Sequence, residues 1–142
     1  LNNKNDGSQI INLNFNIHKK QHIFRAALEG IAFSFVYGLE ILKNDGVNLT
    51  TIKAGNDNLF RSEIFSNTIS TLTGSAINIV ETTGAVGAAR AAAYAAGEFK
   101  NFDEAVQTDE VQLTYKPLNN KEEYQKAYNI WKKDLTEYIN RF

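Results

Sequence analysis

Two turns rich in small residues carry the residue types that could bind a phosphorylated ligand. Residues 54–58, Ala-Gly-Asn-Asp-Asn, follow a short strand-forming run and precede a helical pattern. Alanine and glycine let a ligand approach the backbone closely, and the amide and carboxyl groups after them can hydrogen-bond a base or a ribose. A helix that starts after a strand offers free N–H groups, which suit phosphate. On local residues alone, a plain loop of turn formers is the commoner meaning.

The second turn, residues 83–89, reads Thr-Gly-Ala-Val-Gly-Ala-Ala and opens a helix made almost wholly of small residues. Gly84 and Gly87 permit close approach of a ligand or close packing of the helix on a sheet, and in isolation packing is favoured. A dinucleotide fingerprint needs glycines at the G-x-G-x-x-G spacing. The first two glycines of that spacing are missing, so the turn is a weak match to an NAD site.

Three other titratable side chains are candidates for chemistry. His18 and His22 lie four residues apart, but a zinc site normally uses three or four protein ligands and no suitable third ligand lies near them in the sequence. Glu29 lies in an apolar helical pattern beside Gly30, where a paired structural carboxylate is commoner than a catalytic one. No serine stands in a G-x-S-x-G motif. Structural roles are therefore favoured for these residues, with a metal pair at His18 and His22 and a catalytic role of Glu29 as the less favoured alternatives.

The bulk composition is that of an ordinary globular domain. The 142 residues are 43% hydrophobic and 22% charged, with a formal net charge of −1, so a core can form and charge gives no hint of nucleic acid or an anionic membrane as partner. The absence of cysteine fits a reducing cytoplasm, and no apolar run is long enough to span a bilayer. The chain contains no methionine and starts at Leu1, so we expect a piece of a longer protein.

Strand and helix patterns alternate along the chain, which predicts βαβ crossovers and an α/β fold with a sheet covered by helices. Residues 98–118 are predicted to be irregular. An apolar stripe in the last helix is predicted to face the core. The predicted elements are a strand at 11–17, a helix at 23–42, a strand at 50–54, a helix from Ser62 to Gly74, a strand at 76–80, a helix at 85–96 ended by Gly97, and a helix from about Lys121 with the stripe Tyr124, Tyr128, Trp131, Leu135 and Tyr138.

Four segments form a longer pattern in this order. Residues 8–13, Ser-Gln-Ile-Ile-Asn-Leu, precede residues 22–33, His-Ile-Phe-Arg-Ala-Ala-Leu-Glu-Gly-Ile-Ala-Phe; residues 52–56, Ile-Lys-Ala-Gly-Asn, precede residues 83–92. With the closing helix after Pro117, they resemble the FGGY carbohydrate kinases from about residue 8 to 135. Asn12 stands where the family usually has glycine. Ala54 and Asn56 replace two glycines of the family's adenosine motif, and the loop at 57–61 is a few residues longer than usual.

The resemblance implies an actin-like ATPase fold of two ribonuclease-H-like domains, and transfer of the γ-phosphoryl group of ATP to a sugar hydroxyl with Mg²⁺. It implies that residues 1–142 are the C-terminal part of the second domain, and that the catalytic aspartate, the sugar pocket and most magnesium ligands lie elsewhere. The Ala-Gly-Asn-x-Asn turn is most similar to that of xylulose kinases, which implies a pentulose substrate. The residues implied to contact or flank the nucleotide are Ala54, Gly55, Asn56, Asp57, Asn58, Ser62 as a helix cap, and Gly84 and Gly87 as close-packing positions.

Two other functions stay open at this point. An actin-like ATPase can act as a nucleotide-dependent regulator or reactivase without a sugar substrate, and a small α/β binding module would use no nucleotide at all. For the kinase we expect ATP and a sugar as partners, no nucleic acid and no membrane, and a cytoplasmic location, with a homodimer left open.

Overall fold

The computed structural model describes residues 7–47, 49–106 and 110–140. No helix in these ranges is both long enough and apolar enough to cross a membrane. The elements, in chain order, are α1 (Lys20–Asn44), β1 (Thr51–Gly55), a 3₁₀ turn (Asn58–Arg61), α2 (Glu63–Thr73), β2 (Ala76–Val80), α3 (Gly84–Ala95), α4 (Phe102–Val106), β3 (Val111–Tyr115) and α5 (Lys121–Ile139).

The three strands form one sheet in the order β1-β2-β3. β1 and β2 are parallel, with Thr51 opposite Ala76 and Gly55 opposite Val80. Because α2 connects them, β1-α2-β2 is the βαβ unit that the sequence predicts. β3 pairs with β2 in the antiparallel sense. The parallel register brings the carboxyl ends of β1 and β2 together at one edge of the sheet.

Helix α2 begins and ends where its capping residues predict. The Ser62 hydroxyl accepts a hydrogen bond from the Phe65 N–H at 3.5 Å, and Gly74 ends the helix in the left-handed conformation with φ 73°. An N-cap serine satisfies an N–H that has no partner within the helix, and a glycine adopts positive φ without steric cost. The predictions for Ser62 and Gly74 are confirmed.

The polar face of α2 is buried as well as its apolar face. Its buried hydroxyls bond to backbone groups, which a buried polar group requires. Ser66 donates to the Phe60 carbonyl at 2.8 Å, Ser70 donates to the Ser75 carbonyl at 2.9 Å, and the Thr71 hydroxyl accepts from the Leu118 N–H at 3.1 Å. α2 therefore lies in the centre of the molecule and fixes three surrounding segments.

Helices α1 and α5 pack against α2. Phe33 of α1 is buried, and its ring contacts those of Tyr128 and Trp131 at centroid distances of 5.6 and 5.9 Å. The Lys132 ammonium lies 2.6 Å from the Glu40 carboxylate across the same helix pair. Tyr124 and Tyr128 are buried and Trp131 packs against the core. The stripe predicted for the last helix does face the core.

The strand predicted at residues 11–17 is wrong. This segment pairs with no strand in the described chain; residues 15–17 form a turn, and Asn12 has a left-handed φ of 60°. The turn is closed by the His18 N–H, which donates to the Asn14 carbonyl at 2.8 Å. Alternation of apolar residues with asparagine predicts a strand with a buried face, yet Phe15 is 83% exposed. Within the described residues, this segment has no neighbouring strand to pair with, and its apolar side chains do not pack against the core.

Residues 98–118 were predicted to be irregular, and this is also wrong, because they contain α4 and β3. β3 is mostly exposed, so it lacks the half-buried alternation that marks a strand in sequence. Pairing with β2 stabilises it instead, supported by a hydrogen bond from the Thr114 hydroxyl to the Asn78 side-chain oxygen at 2.9 Å. A strand formed by tertiary pairing leaves little local signal.

We expect Tyr128→Phe to leave the free energy of unfolding within about 0.5 kcal/mol of the parent, while Tyr128→Ala loses about 3–5 kcal/mol of packing. Tyr128 is 1% exposed and its hydroxyl has no partner in hydrogen-bond geometry. Burial and the nearby Glu40 carboxylate raise the pKa of Tyr128. Urea unfolding followed by circular dichroism measures both variants. A loss above about 1 kcal/mol for Tyr128→Phe would show that the hydroxyl does bond to Glu40.

Candidate functional site

The two predicted turns leave the same edge of the sheet. Gly55 and Val80 are paired at the ends of β1 and β2. Beyond them, the Asn56 N–H donates to the Val80 carbonyl at 2.9 Å, and the Thr82 N–H donates to the same oxygen at 2.8 Å. One carbonyl therefore holds both turns side by side, at the strand ends where open α/β sheets bind ligands.

Gly55 is required by contact between the turns. A Cβ at this position would lie 2.7 Å from the Thr82 carbonyl oxygen and 3.1 Å from Asp57 Oδ1. The first distance is far below a carbon–oxygen van der Waals contact and involves a backbone atom, whereas the second is a tight contact with a side-chain oxygen. The sequence predicts a glycine that clears space for a ligand, but the space beside Gly55 is filled by protein atoms. Its absent side chain instead lets the second turn come close to the first.

A cavity of about 450 Å³ opens between the turns. This volume falls within the range of small-molecule sites. The wall combines strand ends, the 3₁₀ turn, the start of α3, one residue of α1 and one residue of α2. Predicted site residues in the wall are Ala54, Gly55, Asp57, Asn58 and Gly84.

Three predicted residues lie outside this cavity. Asn56 is exposed, and its side-chain amide donates to a Glu81 carboxylate oxygen at 3.3 Å. Ser62 caps α2 through Phe65. Gly87 lies on exposed α3, one turn from the helix start. The structure therefore brings together the residues of the first turn and the start of the second helix, but not every member of the predicted set.

The packing role predicted for Gly84 and Gly87 is wrong for the described residues. A Cβ at either position would have no neighbouring atom within 4 Å. α3 has no buried residue, and its Tyr94 ring contacts the Phe102 ring of α4, with ring centroids 5.9 Å apart. Thr83 caps α3 by accepting from the Val86 N–H at 3.3 Å.

Sequence reasoning missed much of the cavity wall. Phe35 and Phe65 were visible only as members of helical apolar stripes, which normally indicate core. Phe60 lies in the loop that is longer than usual, and an aromatic residue within a turn cluster was the one available signal. The lining residues that were not predicted are Phe35, Lys53, Leu59, Phe60, Phe65, Thr82 and Thr83.

The other titratable candidates lie away from the cavity. Glu29 pairs with Arg25, whose Nε lies 2.8 Å from the carboxylate; this bond raises the pKa of Arg25, and Glu29 is a structural carboxylate. His18 and His22 accept hydrogen bonds from the Asn14 and Lys19 backbone N–H groups through Nδ1. Across the part of the chain that the structure describes, no three His, Asp or Glu side chains are grouped closely enough to hold a metal ion.

Comparison with known proteins identifies the family. Residues 5–96 match the C-terminal domain of the FGGY family of carbohydrate kinases. The chain belongs to this family. The glycerol kinase of Clostridium beijerinckii is 32% identical over 117 residues, which is 80% of this chain and 23% of that protein. The FGGY match contains both turns, whereas α4, β3 and α5 lie beyond its last residue.

Solved structures show the FGGY kinase fold. The xylulose kinase of Rhodospirillum rubrum superposes with a TM-score of 0.71 at 22% identity, over 89% of this chain and 26% of that chain. The glycerol kinase of Plasmodium falciparum, solved with ADP, gives 0.71 at 21% identity, over 92% and 26%. The predicted actin-like α/β fold is confirmed. This chain spans about a quarter of the length of these FGGY relatives.

Two glycine-to-alanine variants distinguish the effect of a close backbone contact on stability from the effect of helix propensity. We expect Gly55→Ala to lower the free energy of unfolding by about 1–3 kcal/mol, because the new Cβ must displace the Thr82 carbonyl. The matched control Gly87→Ala should raise it by about 0.5–1 kcal/mol, because it removes a helix-interior glycine where a Cβ has no neighbour. Urea unfolding measures both. Equal effects of the two substitutions would contradict the contact between the turns.

Proposed function

We propose that this chain is the adenosine-binding part of an ATP-dependent sugar kinase, and that residues 1–142 are the C-terminal part of its second domain. The observation that carries the proposal is the cavity between the two turns at the carboxyl ends of β1 and β2. Membership of a carbohydrate kinase family supports it. The matched part of this chain covers about a quarter of its relatives, so the activity is that of a larger kinase.

The cavity wall suits a nucleoside. Small residues at Ala54 and Gly84 leave the backbone accessible, while Asp57 and Asn58 offer a carboxylate and an amide to a base edge or a ribose. Thr82 is also in this wall, but its hydroxyl oxygen is buried, without a hydrogen-bond partner among the described residues, so we assign it no contact with the ligand.

In the proposed reaction, a sugar hydroxyl oxygen forms a bond to the γ-phosphorus of ATP, the bond from that phosphorus to ADP breaks, and the hydroxyl proton leaves to a base. Such transfer depends chiefly on positioning and charge stabilisation. The described residues of this chain would position the adenosine. They do not fit Mg²⁺, because no group of potential ligands is assembled among them, so we assign them no step that involves the metal.

We propose xylulose as the sugar. The Ala-Gly-Asn-x-Asn turn supports this choice through its resemblance to xylulose kinases, and a xylulose kinase is among the structures with the same fold. Glycerol is the competing substrate, because a glycerol kinase is the relative with 32% identity. Neither xylulose nor glycerol would contact the cavity described above in this proposal, so the choice depends on the rest of the kinase.

We expect the 142-residue chain to bind ATP saturably but to phosphorylate no sugar, because it contributes adenosine contacts without a catalytic base. Calorimetric titration with ATP and a coupled assay for ADP release test the two halves of this expectation. The full coding sequence is then assayed with D-xylulose, D-ribulose and glycerol.

Turnover of D-xylulose by the 142 residues alone would contradict the division of roles. ATP binding by the full coding sequence without phosphorylation of any sugar would favour the nucleotide-dependent regulator. No saturable ATP binding by either protein would refute the nucleotide site.

A further inference from the structure

Three phenylalanine rings form a continuous cluster in the wall of the cavity. The Phe35 and Phe60 rings are 5.9 Å apart at 89°, Phe35 and Phe65 are 5.5 Å apart at 84°, and Phe60 and Phe65 are 5.2 Å apart at 80°. Edge-to-face contacts of this kind are favourable and orient the rings. We call these three residues the aromatic wall. They come from α1, the 3₁₀ turn and α2, so three separate elements converge on this side of the cavity.

The aromatic wall leaves apolar ring surface uncovered. Phe65 is fully buried, whereas Phe35 is 48% exposed although Val36, its neighbour on α1, is buried. Phe60 is half-buried. Apolar surface that is left in contact with water costs about 25 cal/mol per Å² relative to burying the same surface. Phe65 thus anchors two rings whose remaining surface borders the cavity.

Phe60 is held in place by its backbone. Its carbonyl accepts the Ser66 hydroxyl at 2.8 Å, and the Ser62 N–H donates to the Leu59 carbonyl at 2.8 Å. Asn58 starts the turn with a left-handed φ of 51°, which asparagine tolerates better than most residues. These hydrogen bonds hold the backbone of the turn, and therefore the position of Phe60, in place. A ring that is positioned before binding loses little conformational entropy when a ligand packs on it.

The rest of the cavity wall combines small and apolar residues with five polar ones, which are Lys53, Asp57, Asn58, Thr82 and Thr83. A ligand that matches both parts has flat, apolar faces and a hydrogen-bonding edge. A nucleobase has this character. A polyphosphate has no apolar face, and the C–H face of a sugar is puckered and surrounded by hydroxyl groups, so it matches flat rings less well than a base does. Stacking of bases on aromatic side chains contributes in proportion to ring contact and tolerates different bases.

We infer that the base of the nucleotide packs against Phe35 and Phe60, and that Phe60 is the residue that determines the preference of this cavity for a nucleoside. The inference rests on the proposed nucleotide site and adds to it where the base lies. The 3₁₀ turn Asn58–Arg61, in the loop that is longer than usual, thereby gains a role in ligand binding.

The experiment uses adenosine and tripolyphosphate as separate probes of the base-containing and phosphate parts of ATP. Calorimetry compares the parent chain with Phe60→Ala, Phe60→Leu and Phe60→Tyr. We expect Phe60→Ala to weaken adenosine binding roughly 5- to 150-fold, the equivalent of ~1–3 kcal/mol of base stacking, with tripolyphosphate binding unchanged. Phe60→Leu should also weaken adenosine binding, because it removes the aromatic ring. Phe60→Tyr keeps the ring and should bind adenosine with an affinity close to that of the parent chain.

The matched control is Phe102→Ala, which removes an exposed ring outside the cavity and should leave adenosine affinity within about twofold. Thermal unfolding checks that each variant is folded; if Phe60→Ala is not, Phe60→Leu carries the comparison. A second measurement uses nuclear Overhauser effects in the parent chain, expected between the adenosine H2 or H8 protons and phenylalanine ring protons.

The outcomes separate this inference from the proposed function. If ATP and adenosine bind but neither Phe60→Leu nor Phe60→Ala weakens adenosine, or if the ring protons contact only the ribose, the aromatic wall is not the base site and the nucleotide site stands. If the parent chain binds neither ATP nor adenosine, both proposals fail.

Discussion

The burial of α2 on both its apolar and its polar faces is the constraint on which the rest of the molecule depends. A helix with several serines and threonines can lie in the centre only if their hydroxyls find backbone partners. Here those partners come from the 3₁₀ turn, from the residue before β2 and from the segment before α5. Each hydroxyl that permits burial of α2 therefore also fixes a loop, and the loop fixed by Ser66 carries Phe60.

The site follows from the same arrangement. Because α2 links β1 to β2 in parallel, both strands end at one edge, and the Val80 carbonyl receives an N–H from each of the two following turns. The turns then lie so close that only glycine fits at Gly55. Contacts between the two turns therefore determine the shape of the cavity before any ligand is bound. Residues that look like ligand contacts in sequence can have this prior structural role.

Elements with strong local signals could be predicted from the sequence. Ser62 and Gly74 bound α2, and the Tyr124 and Tyr128 stripe identifies the buried face of α5. β3 could not be predicted, because its stability comes from pairing with β2 while its side chains stay exposed. The site was predicted in part: glycine and asparagine mark turns locally, but Phe35 and Phe60 are about 25 residues apart in sequence and meet only through packing on Phe65.

The wrong strand at 11–17 and the wrong packing role of Gly84 and Gly87 have one physical cause. A pattern of apolar or small residues shows that a face is suited to burial, but it does not say what buries it. Phe15 is exposed and α3 has no fully buried residue among the described residues, although both lie within the 5–96 segment that matches the kinase domain. These faces therefore belong to the family domain itself. This chain spans about a quarter of its relatives' length. Its sequence can therefore have the apolar residues of the domain although the described residues include no surface that packs on them.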